Sequence, residues 1–552
     1  MKKISSPLAA LVVGVVCATL LLWLWARDRA DAERLRLARA VVPAATATKS
    51  PPPGLALDSI TRSLLTALQS LLTRSDSRAK EALLTFKDDA AYRRFLGRAQ
   101  KSGVTLLGQL EALRTARIRY DAFSALQKDL LENSGDYGAV SANYMMTIPG
   151  PPAKEDRANV DAVPFGNRAL QFLGVDPTSA SRATWGQGVT IAVLDTGVGS
   201  DRTFGDGRLR LLDIGYGIAA GTGSEDGHGT AVASLAAGAA ADAPGVAPAA
   251  NLLSIRVTDA NGSSDLFTVS QAILAATDAG AKVINISLGG YATSATLDAA
   301  IAYARDHGAV IVAAAGNDQA AQLSWPAADS RVISVGAVDA AEQQVSFSNS
   351  GPQLSLTAPG LGVQTAWLGG ERVYLDGTSI SAPLVAGAIA AVLSQNPSLT
   401  PAQAWSVIQQ TTSDAGPPGD DPDYGHGILN LGWAMNHLDP ARVDTAIASH
   451  YYDAANHEMD FVVQNRSALP VTGLTLNLTM TAGAGLTGDS TASFNVPALA
   501  PGAIYVEKIP VDDRTLAAGS MKFSTQLVNP SGVTDAVPAN NRKSSVLTAP
   551  VK

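Results

Sequence analysis

The chain has 552 residues, 46% hydrophobic and 16% charged, with a formal net charge of -8. That length exceeds what one hydrophobic core organises and points to two to four domains. An acidic chain without a basic stripe excludes a partner held through nucleic-acid phosphates, and the single cysteine, Cys17, excludes disulfide stapling and thiolate metal sites.

Lys2 and Lys3 precede an uncharged stretch from Pro7 to Ala26. At about 20 residues it can cross a bilayer as a helix and is longer than most signal-peptide cores. Trp23 and Trp25 close it as interfacial anchors do. The expectation is a membrane anchor within residues 1–32 and an exported body, periplasmic or extracellular. Ala30-Asp31-Ala32 also offers a signal-peptidase site, whose cleavage would make the protein secreted. Residues 33–56 run through Ala, Thr and Pro to Pro51-Pro52-Pro53-Gly54, the composition of an extended tether. Ile60, Leu64, Leu65, Leu68 and Leu72 then recur at helical spacing behind an Asp58 or Ser59 cap.

The rest of the 57–148 segment alternates short strands with helices. Leu83 to Phe86 reads as a strand, and Asp88 caps a helix presenting Tyr92, Phe95, Leu96 and Ala99. Val104 to Leu107 and Arg114 to Tyr120 read as strands, Asp121 caps a second helix, and Ala139 to Met146 is a last strand. The order is β-α-β-β-α-β, a split ferredoxin-like unit.

Across residues 149–440, continuous apolar runs (Val189 to Leu194, Asn251 to Val257, Lys282 to Ile286, Val310 to Ala314, Val332 to Val335) alternate with Ala-rich helical segments. Strands buried on both faces have this pattern, so a three-layer, doubly wound α/β domain with a parallel sheet is expected. Residues 455–552 lose helical character and carry β-branched runs at Met459 to Val463, Val471 to Met480, Ser493 to Val496, Ile504 to Ile509, Met521 to Val528 and Ser544 to Leu547. These predict an all-β, immunoglobulin-like sandwich.

Four short motifs carry chemistry. Val193-Leu194-Asp195-Thr196-Gly197 places a carboxylate at a strand's C-terminal end, where open α/β sheets form their ligand crevice. Aspartic proteases use two such Asp-Thr-Gly turns, but no second one occurs here. Gly227-His228-Gly229-Thr230 puts a proton acceptor before a helix, and Asp195 can fix its tautomer. The similar Gly425-His426-Gly427 lacks a helix-forming sequel and reads as structural or exposed. Ala313-Ala314-Ala315-Gly316-Asn317 aims an amide into the same crevice, and Gly377-Thr378-Ser379-Ile380-Ser381-Ala382-Pro383 sets a hydroxyl at a glycine turn before a helix.

In the order Asp, His, Asn, Ser, these motifs resemble those of the subtilisin-like serine peptidases, and the resemblance covers roughly Gln187 to Trp433. It implies a serine endopeptidase acting on protein or peptide substrates, with Ser379 as nucleophile, His228 as general base and acid, and Asp195 orienting His228. Asn317 and the Ser379 backbone N–H would form the oxyanion hole. Asn285-Ile286-Ser287-Leu288-Gly289-Gly290 resembles the family's substrate-binding strand, with Gly262-Ser263-Ser264 near the opposing one. Ser287, Leu288, Gly289, Ala313, Ala315 and Gly316 are therefore substrate-site candidates; the resemblance also implies that Ala313 to Ala315 and Ser324-Trp325-Pro326 line the first specificity pocket, which suggests an apolar P1 side chain. No cofactor is required by this reading. Ser200-Asp201-Arg202-Thr203-Phe204 and the short Ala236 to Gly245 stretch depart from the family pattern, so its first calcium site is expected to be absent, with other calcium sites left open and no metal ligand assigned.

The resemblance also implies that the β-α-β-β-α-β unit is a propeptide, an intramolecular inhibitor whose last strand near Asn143 to Thr147 enters the cleft. Processing would fall between Met146 and Arg157. The C-terminal sandwich resembles adhesion-related modules of the CARDB type through Val463-Gln464-Asn465 and the stretch from Asp535 to Asn541. Two other readings of function stand beside a general endopeptidase: a dedicated processing protease for one or a few partners, and an inactive surface-binding protein.

Overall fold

The computed structural model describes residues 75–148, 162–217, 226–482, 489–511 and 520–548. The expected anchor at residues 7–26, the tether, the 60–72 helix and the processing segment after Ile148 lie outside these residues.

The first described unit runs β1 (Ser77–Phe86), helix Asp89–Arg98, β2 (Val104–Leu110), β3 (Thr115–Tyr120), helix Phe123–Glu132 and β4 (Tyr137–Thr147). Its strands pair antiparallel in the order β4-β1-β3-β2. Asp88 caps the first helix, its Oδ1 accepting from Ala91 N at 2.7 Å. Asp121 does not cap the second: Ala122 occupies the N-cap position, and no side chain bonds there. β1 starts six residues before the apolar run because Arg78 and Glu81, charges that mask a strand in sequence, find partners in Asp265 and Arg117. Phe86 stacks obliquely on Tyr92, Phe95 and Tyr137, with ring centroids 5.6, 4.9 and 5.1 Å apart.

The central domain contains β5 (Thr190–Asp195), β6 (Leu209–Leu212), β7 (Ala239–Ala240), β8 (Ala243–Pro244), β9 (Asn251–Arg256), β10 (Ser263–Asp265), β11 (Val283–Ile286), β12 (Val310–Ala314), β13 (Ile333–Val338) and β14 (Leu356–Pro359). Seven of these strands form one parallel sheet in the order β14-β13-β12-β11-β5-β9-β6. Alternate residues of β5 serve opposite cores. Ile191 and Val193 pack with helices His228–Ala237 and Thr378–Gln395, while Ala192 and Leu194 join helices Leu266–Asp278 and Ala295–Asp306. Two buried faces explain the unbroken apolar run. A hairpin of β15 (Val363–Ala366) and β16 (Arg372–Leu375) precedes the Thr378–Gln395 helix. Among the described helices only Thr378–Gln395 is long and apolar enough to cross a membrane, and its most apolar 18-residue window is 89% buried in the protein core.

The C-terminal sandwich comprises β17 (Thr445–Asp453), β18 (Glu458–Asn465), β19 (Thr475–Ala482), β20 (Asp489–Asn495), β21 (Ile504–Pro510), β22 (Met521–Val528) and β23 (Arg542–Leu547). Sheets β17-β18-β21 and β20-β19-β22-β23 enclose Phe461, Phe523, Leu476 and Leu478. The sandwich therefore begins ten residues before the expected 455. β17 gave no alternating signal because Ala446, Ile447 and Ala448 are all buried, with Ser449 Oγ reaching Gly416 O of the central domain at 3.3 Å.

Candidate active site

β5 ends in Asp195, which is fully buried at the C-terminal edge of the sheet's centre. His228 is the first residue of the helix that packs under this edge, and its Nδ1 lies 2.9 and 3.0 Å from the two Asp195 carboxylate oxygens. Thr196 holds strand and helix in register: its Oγ1 donates to Asp226 O at 3.1 Å and accepts from Gly229 N at 2.9 Å. A Cβ on Gly229 would stand 2.4 Å from Gly197 O, so only glycine lets the helix start approach the strand end closely enough for Asp195 to reach His228.

Ser379 is the second residue of the Thr378–Gln395 helix and only 3% exposed. It follows Gly377, whose φ of 139° favours glycine. Four residues beyond Ser379 comes Pro383, inside the helix. Lacking an N–H, Pro383 cannot satisfy the Ser379 carbonyl, and Ser287 Oγ donates to that carbonyl instead, at 2.9 Å. Asn285 Nδ2 in turn donates to Ser287 Oγ at 3.0 Å. The Ser287 side chain is thus buried beneath Ser379 and does not face the cleft.

Asn317 follows the β12 turn, and its Oδ1 accepts from Thr378 N at 2.9 Å and Thr378 Oγ1 at 2.8 Å. Gly316 N donates to the same threonine hydroxyl at 3.1 Å. With Oδ1 occupied, the amide orientation is fixed, and Asn317 Nδ2 is left buried without a hydrogen-bond partner among the described residues. A point at the Cβ position of Gly377 lies 2.9 Å from Asn317 Nδ2 and 3.1 Å from Ser379 Oγ. The spare donor and the hydroxyl therefore converge on one small space.

Beside this space, β4 fills a groove between two edges of the central domain. Met145, Met146 and Thr147 pair antiparallel with β10. On the other side, Thr147 N donates to Gly289 O at 2.9 Å and Gly289 N to Thr147 O at 3.0 Å, while Ile148 N reaches Gly262 O at 3.1 Å. Gly290 pairs with Trp325 beyond Gly289. Leu288, Ala313 and Ala315 are buried in the core, and Gly316 adjoins Thr378 as described.

Thr378, Pro383 and Asn285 act through the named residues; sequence reasoning placed them inside its motifs but missed their tasks. It also missed Tyr291, which accepts from Asn349 Nδ2 at 2.8 Å and donates to Asp318 Oδ2 at 2.5 Å, tying the Gly290 turn to the Asn317 turn. Burial, then the hydrogen bond to Asp318, pushes the Tyr291 phenol up to about 12, so it remains a donor. The second Gly-His-Gly stays apart: His426 bonds Asp420 and Gln409 at the far loop. Among the described residues, no group of three or more His, Cys, Asp or Glu side chains is arranged to hold a metal ion.

Residues 186–427 match the model of the subtilase family, Peptidase S8. The chain is 36% identical over 293 residues to a thermostable alkaline protease of Halalkalibacterium halodurans, covering 52% of this chain and 78% of that one. It is 36% identical over 271 residues to subtilisin Savinase of Lederbergia lenta, covering 49% and 97%. An alkaline elastase of a Bacillus species is 30% identical over 370 residues, 66% of this chain and 94% of that one. In fold, the chain is similar to fervidolysin from Fervidobacterium pennivorans, described as a keratinolytic enzyme related to subtilisin, with a TM-score of 0.56, 22% identity and coverage of 86% and 77%.

Proposed function

The chain belongs to the subtilase family of serine peptidases, and from that premise we propose that Asp195, His228 and Ser379 form its catalytic triad, with Asn317 and the Ser379 N–H as oxyanion donors. The observation that carries this assignment is the convergence of the spare Asn317 Nδ2 and Ser379 Oγ at Gly377, beside an Asp195–His228 pair bonded at 2.9 Å. His228 Nε2 takes the Ser379 hydroxyl proton as Oγ attacks the scissile carbonyl. Nδ1–H donates to Asp195, whose charge stabilises the imidazolium. The carbonyl oxygen gains negative charge and accepts from Asn317 Nδ2 and the Ser379 N–H. His228 then protonates the departing amine, and water repeats the sequence on the acyl-enzyme to release the acid and restore Ser379.

Substrate would lie extended where β4 now sits, held chiefly by backbone bonds to Gly262, β10 and Gly289. The same occupancy supports synthesis as an autoinhibited zymogen, with the β1–β4 unit as inhibitor. The apolar surroundings of Leu288, Ala313 and Ala315 favour an apolar P1 residue, as does the elastase relative by its name. Residues 7–26 would anchor the exported enzyme, or be lost with a cut near Ala32.

A fluorophosphonate probe tests the triad. Once the β1–β4 unit is removed, wild-type protein should carry the adduct on Ser379 and the Ser379→Ala protein none. Absence of a wild-type adduct would sink the assignment.

A further inference from the structure

Where the central domain meets the sandwich, a cavity of about 200 Å³ is lined by Gln171, Asn430, Arg442, Asp444, Arg466 and Asn540 among others. This exceeds the roughly 30 Å³ share of a single water several-fold. Arg466 is only 8% exposed. Its Nε donates to the neutral Gln464 Oε1 at 3.0 Å, and among the described residues its guanidinium forms no ion pair. Burial accordingly lowers its pKa, as expected for a cation that has lost water without gaining a contacting anion.

The neighbouring carboxylates are already engaged. Asp444 Oδ2 accepts from Arg442 Nη2 at 3.0 Å and Oδ1 from Asn540 Nδ2 at 2.9 Å. Glu342, also on the cavity wall, is held by Lys543. Two polar atoms are buried without partners among the described residues, the donor Nε of Arg442 and the acceptor Oδ1 of Asn540. Asp444, Glu342, Asp414 and Asp535 act on Arg466 from a distance without outweighing its burial, so its guanidinium has no contacting anion, and the cavity supplies both the space and the complementary atoms for one.

We propose that this cavity binds a small protonated oxyanion, hydrogen phosphate, which accepts from Arg466 and Arg442, donates its O–H to Asn540 Oδ1, and clamps the sandwich to the peptidase domain. The site is independent of the catalytic assignment. It also stands out on a chain of net charge -8, whose surface disfavours unspecific anion binding.

The test uses full-length Ser379→Ala protein, to prevent self-cleavage, in calorimetric titration and thermal melts with inorganic phosphate, sulfate or acetate at matched ionic strength. One saturable phosphate site per chain is expected, with a melting temperature that rises with phosphate occupancy. Arg466→Gln should weaken binding about tenfold or more, as loss of charge-assisted bonds does, and should melt no lower than its parent without phosphate. If Arg466→Gln fails to fold, Arg442→Gln takes its place with the same expected loss. Absence of saturable binding at about 10 mM phosphate, or binding unchanged in the arginine variants, would overturn the site. Sulfate or acetate binding as tightly as phosphate would overturn the role given to Asn540 and the choice of a protonated ion.

Discussion

Ser379 is held from behind by a defect in its own helix. Pro383 leaves one carbonyl open, and Ser287, 92 residues away in sequence, closes it. Ser287→Ala would strand that buried carbonyl, at a cost of about 1–3 kcal/mol, readable as a lower denaturant midpoint. Asn317→Leu removes the spare amide donor while keeping the volume. Turnover should fall by about 10² to 10³ with little change in KM, a scale known from subtilisin rather than derived from this geometry. Steady-state kinetics on a peptide substrate separates the two quantities. At this scale the sequence was legible where chemistry is local: Asp195, His228, Asn317 and Ser379 each sit in a short turn motif. Ser287 was found, but its task was not, because a bond to the back of Ser379 depends on how β11 and a distant helix pack.

Arg372 on β16 shows how loops are pinned between elements. Its guanidinium meets Asp201 at 3.0 Å and Asp242 at 3.2 Å, joining the loop after β5 and the β7–β8 turn to the hairpin before Ser379. Asp201 is nearly inaccessible, so Arg372→Ala should destabilise by about 3 kcal/mol, measured by thermal unfolding. The loop from Asp414 to Asp423 behaves oppositely. Burial, reinforced by Asp421 and Asp420 and opposed by the Gly419 N–H and Arg466, pushes the Asp414 carboxyl up to about 7. Burial likewise raises Asp421 to about 6. An unfolded carboxyl titrates near about 3.9, so between these values the folded protein holds more protons. Their contribution to stability is greatest below pH 4 and is lost as pH rises through 7. Asp414→Asn should flatten that slope and raise the melting temperature at pH 8, and melts across pH 4 to 8 decide it. Elements buried on two faces, such as β5 and β11, were readable as apolar runs. β17 was not, since its buried stretch is built from the small and polar residues Thr445, Ala446, Ala448 and Ser449 around a single Ile447.

Along the described residues the elements change from mixed strands and helices to Ala-rich α/β and then to strands alone, and that succession of element types was readable in sequence. Hidden from sequence was the sharing of strands. β10 belongs to the central domain yet completes a five-stranded sheet with β4, β1, β3 and β2, and one apolar cluster runs from Phe86 and Leu130 to Leu266 and Ile301 without a seam. Mass spectrometry of mature wild-type protein should find a new N-terminus between Met146 and Arg157, while Ser379→Ala protein stays uncut. Identical processing of both would assign the cut to another protease.

That shared sheet has a consequence for timing. While the chain is continuous, β4 faces its groove at an effective concentration that short tethers set near the millimolar range, so occupancy does not depend on how much enzyme is present. After one cut the same contact becomes a meeting of two molecules, and dilution governs it. If β4 inhibits as proposed, a sparse population would switch on soon after cleavage, whereas a crowded one would stay quiet until the released β1–β4 units were themselves digested.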